Sequence, residues 1–238
     1  STKEAIFTVL SRKFNVRRNY KNYNNEIGVP LSIIGAQTQG GSIFGWLKVF
    51  IIGVFRLVYC KRYPEILVLE MGADRIGDIF YLTSFIACDI GVITAIGEMP
   101  AHLEFFRTVA QVTQEKMTLI KSLQPQTCAI LNFDDERVRA AASSTRAKIF
   151  SFGFGETADL RASNLAQQLE DLNNAGLSFQ VDYRGNNAFS NESAGMKLAG
   201  VLGAHQAYPV LAAAAVGLIF KMNLVEISQA LKNYQPPP

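Results

Sequence analysis

Hydrophobic and polar positions fall into blocks whose period changes along the chain. Ile6, Val9, Leu10 and Phe14 recur at helical spacing and predict an amphipathic helix over 3–14. A polar, asparagine-rich segment with Tyr20 and Tyr23 follows over 15–25, then a short helix over 31–35. Beyond Tyr63-Pro64, which breaks any helix, residues 66–69 read as a buried strand. The pattern then predicts a helix over 78–86, a strand over 89–94 and a helix over 102–123 that ends at Gln124-Pro125. Strands over 128–133 and 148–152 come next. Strands alternating with helices of this length imply right-handed βαβ crossovers, hence an α/β fold with a mostly parallel sheet and flanking helices.

The last third reads differently. Residues 158–173 are expected to be part strand and part helix, and 177–183 alternate as a strand before a turn at 184–187. A long alanine-rich helix over 208–220 and a short helix over 225–231, capped by Asn223, should pack beside the sheet.

Residues 43–60 form the most hydrophobic run. Lys48 and Arg56 lie inside it, and each is costly at a bilayer centre, so a membrane span is disfavoured. On a helical wheel Ser42, Gly45, Lys48, Gly53 and Arg56 share one narrow face, and the remainder is almost wholly apolar. Two readings stay open: a helix packed on its own domain, or an in-plane membrane or partner-binding helix.

Composition narrows the class without deciding it. The 238 residues are 49% hydrophobic and 18% charged, ordinary for a globular α/β protein. A net charge of +3, with no Lys/Arg run interleaved with aromatics, argues against nucleic acid. Cys60, Cys88 and Cys128 are odd in number and lack C-x-x-C spacing, which argues against a disulfide framework or a zinc site and points to a reducing compartment, the cytoplasm. No signal peptide is recognisable, and a monomer is expected. The chain opens as if inside a helix and closes on Pro236-Pro237-Pro238, so residues 1–234 read as one domain and 235–238 as the start of a linker.

Two of the strand patterns end in potential metal ligands. Glu70 follows the first and His102 lies beyond the second, where ligands bind in open parallel sheets. A carboxylate and an imidazole there can hold a divalent cation beside a phosphate. Lys116 is fourteen residues past His102, roughly 21 Å along a straight helix, so His102 must precede the helix to share a site with it. Singly, these three residues are equally well a cap, a loop histidine and a solvated lysine.

Together, "LEMGA", "DIGVIT", "PAHLEFF" and "EK", in this order and spacing, resemble the central domain of the Mur ligases, most nearly the MurF type. "TKE", "NNEIGVP", "LNFDD" and the "GAH…AAAAVG" tail extend the resemblance over nearly the whole chain. The resemblance implies a P-loop NTPase-like fold using ATP and Mg²⁺. It assigns Glu70 and His102 as Mg²⁺ ligands and Lys116 as a carbamylated lysine that helps hold a second metal. It places Asn132, Asp135 and His205 near the nucleotide, and Asn24, Asn25 and Glu26 near a UDP-muramoyl peptide. The implied reaction is ATP-dependent amide formation: an acyl phosphate of that peptide is displaced by the amine of D-Ala-D-Ala, in peptidoglycan precursor synthesis.

Departures from the pattern set the alternatives. The family's phosphate loop, G-x-x-G-K-[ST], does not occur, nor the strand before it, and Ser1-Thr2-Lys3-Glu4 resembles the segment directly after that loop. The chain is therefore expected to be a fragment that is inactive alone. Ala204, Gln206, Pro209 and Thr118 also depart from the family's usual residues. A sister ligase (one adding another amino acid, or a folate or cyanophycin ligase) is one rival. A non-catalytic binding or scaffold module using the 43–60 helix is the other.

Overall fold

Aliphatic runs bounded by turn residues become strands, and segments of helical period cover both faces of the sheet they form. The computed structural model describes residues 2–59, 63–96, 106, 108–168, 175–185, 191–232 and 234–236, excepting the Leu57 side chain. Their order is α1 (Thr2–Leu10), β1 (Val16–Arg18), α2 (Gly28–Ile34), α3 (Ile43–Tyr59), β2 (Ile66–Val68), α4 (Asp78–Phe85), β3 (Ile90–Ile93) and α5 (Val109–Lys121). There follow β4 (Cys128–Asn132), α6 (Glu136–Ala141), β5 (Lys148–Gly153), β6 (Leu160–Gln168), β7 (Gly176–Tyr183), β8 (Glu192–Ala199), α7 (Ala207–Ile219) and α8 (Leu224–Leu231).

β1 and β2 pair in parallel as a two-stranded sheet, with Val16 opposite Ile66. The other strands form a six-stranded sheet in the order β3-β4-β5-β6-β7-β8. β3 to β6 are parallel, although β6 joins β5 only through Phe152 opposite Leu160 and Gly153 opposite Arg161. β6, β7 and β8 are antiparallel neighbours. The expected mostly parallel α/β sheet is thus present, with an antiparallel extension at one edge.

Period-two alternation builds two cores. On β4, Ile130 points into a core with α1, α7 and α8, whereas Ala129 and Leu131 point into one with α5 and α6. The alanine run of α7 lies within the first core, with Val210 through Ala215 fully buried, so an all-apolar helix is covered on every side. Alanine keeps that helix thin enough for α1 to pack along it.

Several elements differ from the sequence reading. α1 stops at Leu10, and α5 starts at Val109, where the Thr108 hydroxyl caps it by accepting from the Gln111 amide at 3.3 Å. The strand part expected within 158–173 is β6, and the helical part falls on residues 169–173, outside the described ones. β1, α6 and β8 have no counterpart in the sequence reading. β1 reads Val-Arg-Arg and β8 offers only Met196 and Leu198 as buried apolar positions, so partner strands rather than local preference define both.

α3 covers all but the last of the expected residues, and its broad apolar face is not packed on the described fold, against the first of the two readings. The face carrying Gly45, Val49, Ile52, Gly53 and Arg56 turns inward and the broad apolar face turns out. A Cβ at Gly45 would lie 2.7 Å from Gln39 Cβ, so only glycine admits this approach. The Arg56 guanidinium donates to the carbonyls of Ile34 and Gly35, at the end of α2.

Candidate functional site at the strand ends

The carboxyl end of β2 is held by an asparagine on β1's side. Asn19, just past β1 and almost fully buried, accepts from the Glu70 amide through Oδ1 and donates through Nδ2 to the Glu70 carbonyl at 3.2 Å. One side chain thereby continues the ladder where the strands stop. The Glu70 carboxylate, about half exposed, lies 3.1 Å from Lys3 Nζ. Lys3 is itself buried and donates to the Lys21 carbonyl at 2.6 Å, so α1 delivers a fixed cation to the end of β2.

The asparagine-rich loop closes over the same place. The Gly72 amide donates to the Asn24 carbonyl at 2.7 Å, and Asn25 Oδ1 accepts from the Gly28 amide at 2.8 Å to start α2. Asn25 and Glu26 then share a cleft with Gly72, Asp74, Asp78, Tyr81 and Leu82. Three carboxylates line it, an arrangement suited to a ligand carrying amines, amides or a cation.

A second group gathers at the ends of β4 and β5. Asn132 donates to the Thr94 carbonyl at 2.7 Å and accepts from the Asp134 amide at 3.0 Å. Asp135 caps α6 with Oδ1, and with Oδ2 accepts from the Ile96 amide at 2.8 Å. Asp134 accepts from the amides of Phe154 (2.7 Å) and Gly155 (3.0 Å) and from the Tyr208 hydroxyl (3.2 Å). Burial, then the charge and hydrogen bond of Asp134 and the charge of Asp135, push the Tyr208 phenol up to about 12. His205 is exposed on the turn before α7, with Nε2 3.2 Å from Gln206 Nε2.

Lys116 lies on α5, seven residues after its first. Burial lowers its pKa, and the charge of Asp135 opposes that only in part. Its neighbour Glu115 is buried and accepts from the Gly77 amide at 2.9 Å and the Ile79 amide at 2.8 Å. A carboxylate from α5 therefore caps the start of α4, the helix that carries Asp78, Tyr81 and Leu82 of the cleft. This contact couples the two groups mechanically.

The structure thus sets the Asn24–Glu26 loop beside the chain just past Glu70, and Lys116 within the electrostatic reach of Asp135. Asn132 and Asp135 turn their side chains to backbone partners. His102 lies outside the described residues. Lys3, Asn19, Glu115, Asp134 and Tyr208 escape the sequence reading as site residues: "TKE", "EK" and "LNFDD" touch three of these positions, and none of the motifs reveals its partners. For a metal the fit is partial: Glu70 is an accessible hard oxygen ligand, and among the described residues no group of three His, Cys, Asp or Glu side chains could hold an ion.

The sequence profile of the Mur ligase middle domain matches residues 53–217, more than half of the chain. The chain belongs to that family. Over 237 residues it is 28% identical to the UDP-N-acetylmuramoyl-tripeptide–D-alanyl-D-alanine ligase of Mycobacterium leprae, covering 97% of this chain and 40% of the relative. The enzyme of that name from Bacillus subtilis is 26% identical over 220 residues, 92% of this chain and 39% of the relative. This member of the family therefore spans about two fifths of the length of these curated relatives. Among solved structures, MurF from Acinetobacter baumannii superposes with a TM-score of 0.75 at 23% identity, covering 99% of this chain and 44% of that one. MurF ligase from Thermotoga maritima, solved in complex with ADP, gives 0.71 at 25% identity over all of this chain and 46% of that one.

Proposed function

We propose that residues 1–234 are the central, nucleotide-using domain of a larger cytoplasmic Mur-type ligase, with 235–238 leading to a further domain. The reaction would join a UDP-muramoyl peptide to D-Ala-D-Ala by ATP-dependent amide formation. The observation that carries this reading is the bond from the Gly72 amide to the Asn24 carbonyl, which sets the Asn24–Glu26 loop against the chain just past Glu70 at the end of β2, within a chain of this family. D-Ala-D-Ala as the amine is supported by the names of the relatives, which are D-alanyl-D-alanine ligases.

In this reading Glu70 and His102 would hold Mg²⁺ and a carbamylated Lys116 would help hold a second ion, and the metal would supply charge neutralisation at the phosphates. Lys3 orients the Glu70 carboxylate through their ion pair. Depressed basicity at Lys116 favours the neutral amine that carbon dioxide must meet to form a carbamate. Asn132 and Asp135 shape the nucleotide side by pinning the loops after β3 and β4, and His205 and Tyr208 border it from the turn before α7. Asn25 and Glu26 face the peptide substrate across the acidic cleft.

The test is ADP release by the complete gene product. Release should require both a UDP-muramoyl tripeptide and D-Ala-D-Ala, and Glu70→Ala should lower it about 100-fold or more, matching the several kcal/mol a metal contributes to such a transition state. Release with a single amino acid in place of the dipeptide would reassign the chain to a sister ligase. No release with any muramoyl peptide and amine would leave a non-catalytic module.

A further inference from the structure

α3 presents an apolar face that nothing in the described fold covers. Phe44 is 85% exposed, Ile43 83%, Phe50 68%, Phe55 and Val58 62% each, and Ile51 58%. At about 100° per residue these side chains, with Leu47 and Val54, span one continuous arc of roughly 140°. The opposite arc holds Gly45, Trp46, Val49, Ile52, Gly53 and Arg56, all turned inward. Burial of the glycine face leaves the greasy face outside, the reverse of ordinary domain packing.

Charge indicates what covers it. Residues 27–64 contain Lys48, Arg56, Lys61 and Arg62 and not one Asp or Glu, so this segment alone carries more positive charge than the whole chain's net +3. Lys48 is exposed at the edge of the apolar arc, and Tyr59 stands just beyond it. A second copy seated here would bring two positive segments together, with no carboxylate in either to answer them. An apolar arc with a flanking cation and aromatic residues fits an interface whose interior is hydrocarbon and whose surface is anionic. No described helix is long and apolar enough to cross a membrane, and α3 is roughly 25 Å long, so it would lie in the plane.

We infer that α3 docks the protein on an anionic lipid surface, with Phe44, Phe50, Val54 and Phe55 entering the acyl boundary and Lys48 meeting the headgroups. The inference is independent of the proposed ligase activity. Arg56 serves differently: its bonds to the Ile34 and Gly35 carbonyls tie the helix to the body, so lipid contact would recruit the whole domain.

The experiment is co-sedimentation of the complete gene product with vesicles of phosphatidylcholine alone, or with about a third phosphatidylglycerol, at about 20 mM and about 0.5 M salt. Binding is expected with the anionic vesicles at low salt, reduced severalfold by the high salt or by Lys48→Glu. It should fall at least tenfold in a Phe44→Glu/Phe50→Glu variant whose circular dichroism is unchanged; both positions are exposed, so the fold should tolerate them. Three outcomes overturn the inference: no binding to anionic vesicles, equal binding by the Phe44→Glu/Phe50→Glu variant, or equal binding to neutral vesicles at both salts. Light scattering that shows a dimer abolished by that variant, without vesicle binding, would assign the face to a second copy instead.

Discussion

Asp135 holds two loops with its two oxygens. Oδ1 accepts from the Arg137 and Val138 amides at the start of α6, and Oδ2 accepts from the Ile96 amide beyond β3. Asp135→Ala removes a helix cap and strands a partly buried N–H, so it should lower stability by about 2–3 kcal/mol, read as a shift of the urea midpoint. Asp135→Asn should recover part of that loss, because its amide oxygen can still accept. Tyr208 makes a pH-dependent contribution. Its folded value of about 12 exceeds the ordinary phenol value of about 10, so its stabilisation is complete below pH 10 and is lost as pH rises through 12. Tyr234, pushed up to about 12 by burial and the charge of Glu4, acts in the same window. Tyr208→Phe should therefore flatten the fall in stability between about pH 10 and 12, with Tyr234 supplying what slope remains. At this scale the sequence is half legible. "LNFDD" identifies Asn132 and Asp135 as strand-end residues, yet their partners, Thr94 and Ile96, are about forty residues away and make no local pattern.

Elements with a strong period and a cap are legible to within a few residues. Asn223 is the clearest case: its side chain accepts from the Glu226 amide at 2.8 Å while Glu226 accepts from the Asn223 amide at 2.9 Å, a complete capping box at the start of α8. Asn223→Ala should cost about 1 kcal/mol in thermal or urea unfolding, because Leu224, Ile227 and Leu231 bury that helix against the main core. β8 is illegible because its identity comes from β7. Gly176 shows how tight that pairing is: a Cβ there would stand 2.6 Å from the Leu198 carbonyl oxygen, a backbone atom that cannot step aside. Gly176→Ala should destabilise by about 1–3 kcal/mol, and exchange of the β7 and β8 amides should speed before that of β3 or β4. α3 is more instructive. Its wheel groups Gly45, Gly53 and Arg56 correctly but misplaces Ser42 and Lys48, which are exposed, and Trp46, which turns inward; which face turns inward depends on Gly45 fitting against Gln39 and on Arg56 finding two open carbonyls, and neither is a property of the helix itself.

Across the whole molecule, the parallel part of the sheet follows from periodicity because each strand is a separate apolar run with a helix between. The division into two sheets does not. β1 and β2 stand apart from the other six strands, and α1 links the parts by packing on α7 while its Lys3 reaches the end of β2. The residues that the Mur ligase resemblance singles out sit on both parts: Glu70 and Asn24–Glu26 by the small sheet, Lys116, Asn132 and Asp135 by the large one. Glu115 joins α5 to the start of α4, whose residues line the cleft beside Asn25 and Glu26, which makes it a positioning residue. Glu115→Gln keeps one of the two acceptors and should loosen α4 less than Glu115→Ala does; under the proposed ligase activity, Glu115→Ala should raise the KM for the peptide substrate more than it lowers kcat.

The path from β1 to β2 has a modular character. α2 ends at Gly35, whose φ of 69° turns the chain sharply away, and the chain returns at Tyr63, whose hydroxyl donates to the Ile33 carbonyl at 2.7 Å. Departure and return are thus fastened to the same turn of α2, and all of α3 hangs from that junction as a side excursion. Such a segment can be gained or lost without altering strand register, since loop length alone changes closure entropy only slowly. Replacing residues 37–61 by a few glycines and serines should leave the Val16–Ile66 pairing and the thermal midpoint nearly intact. On the proposals above, what such an excision removes is an address, while the side chains at the strand ends stay where they were.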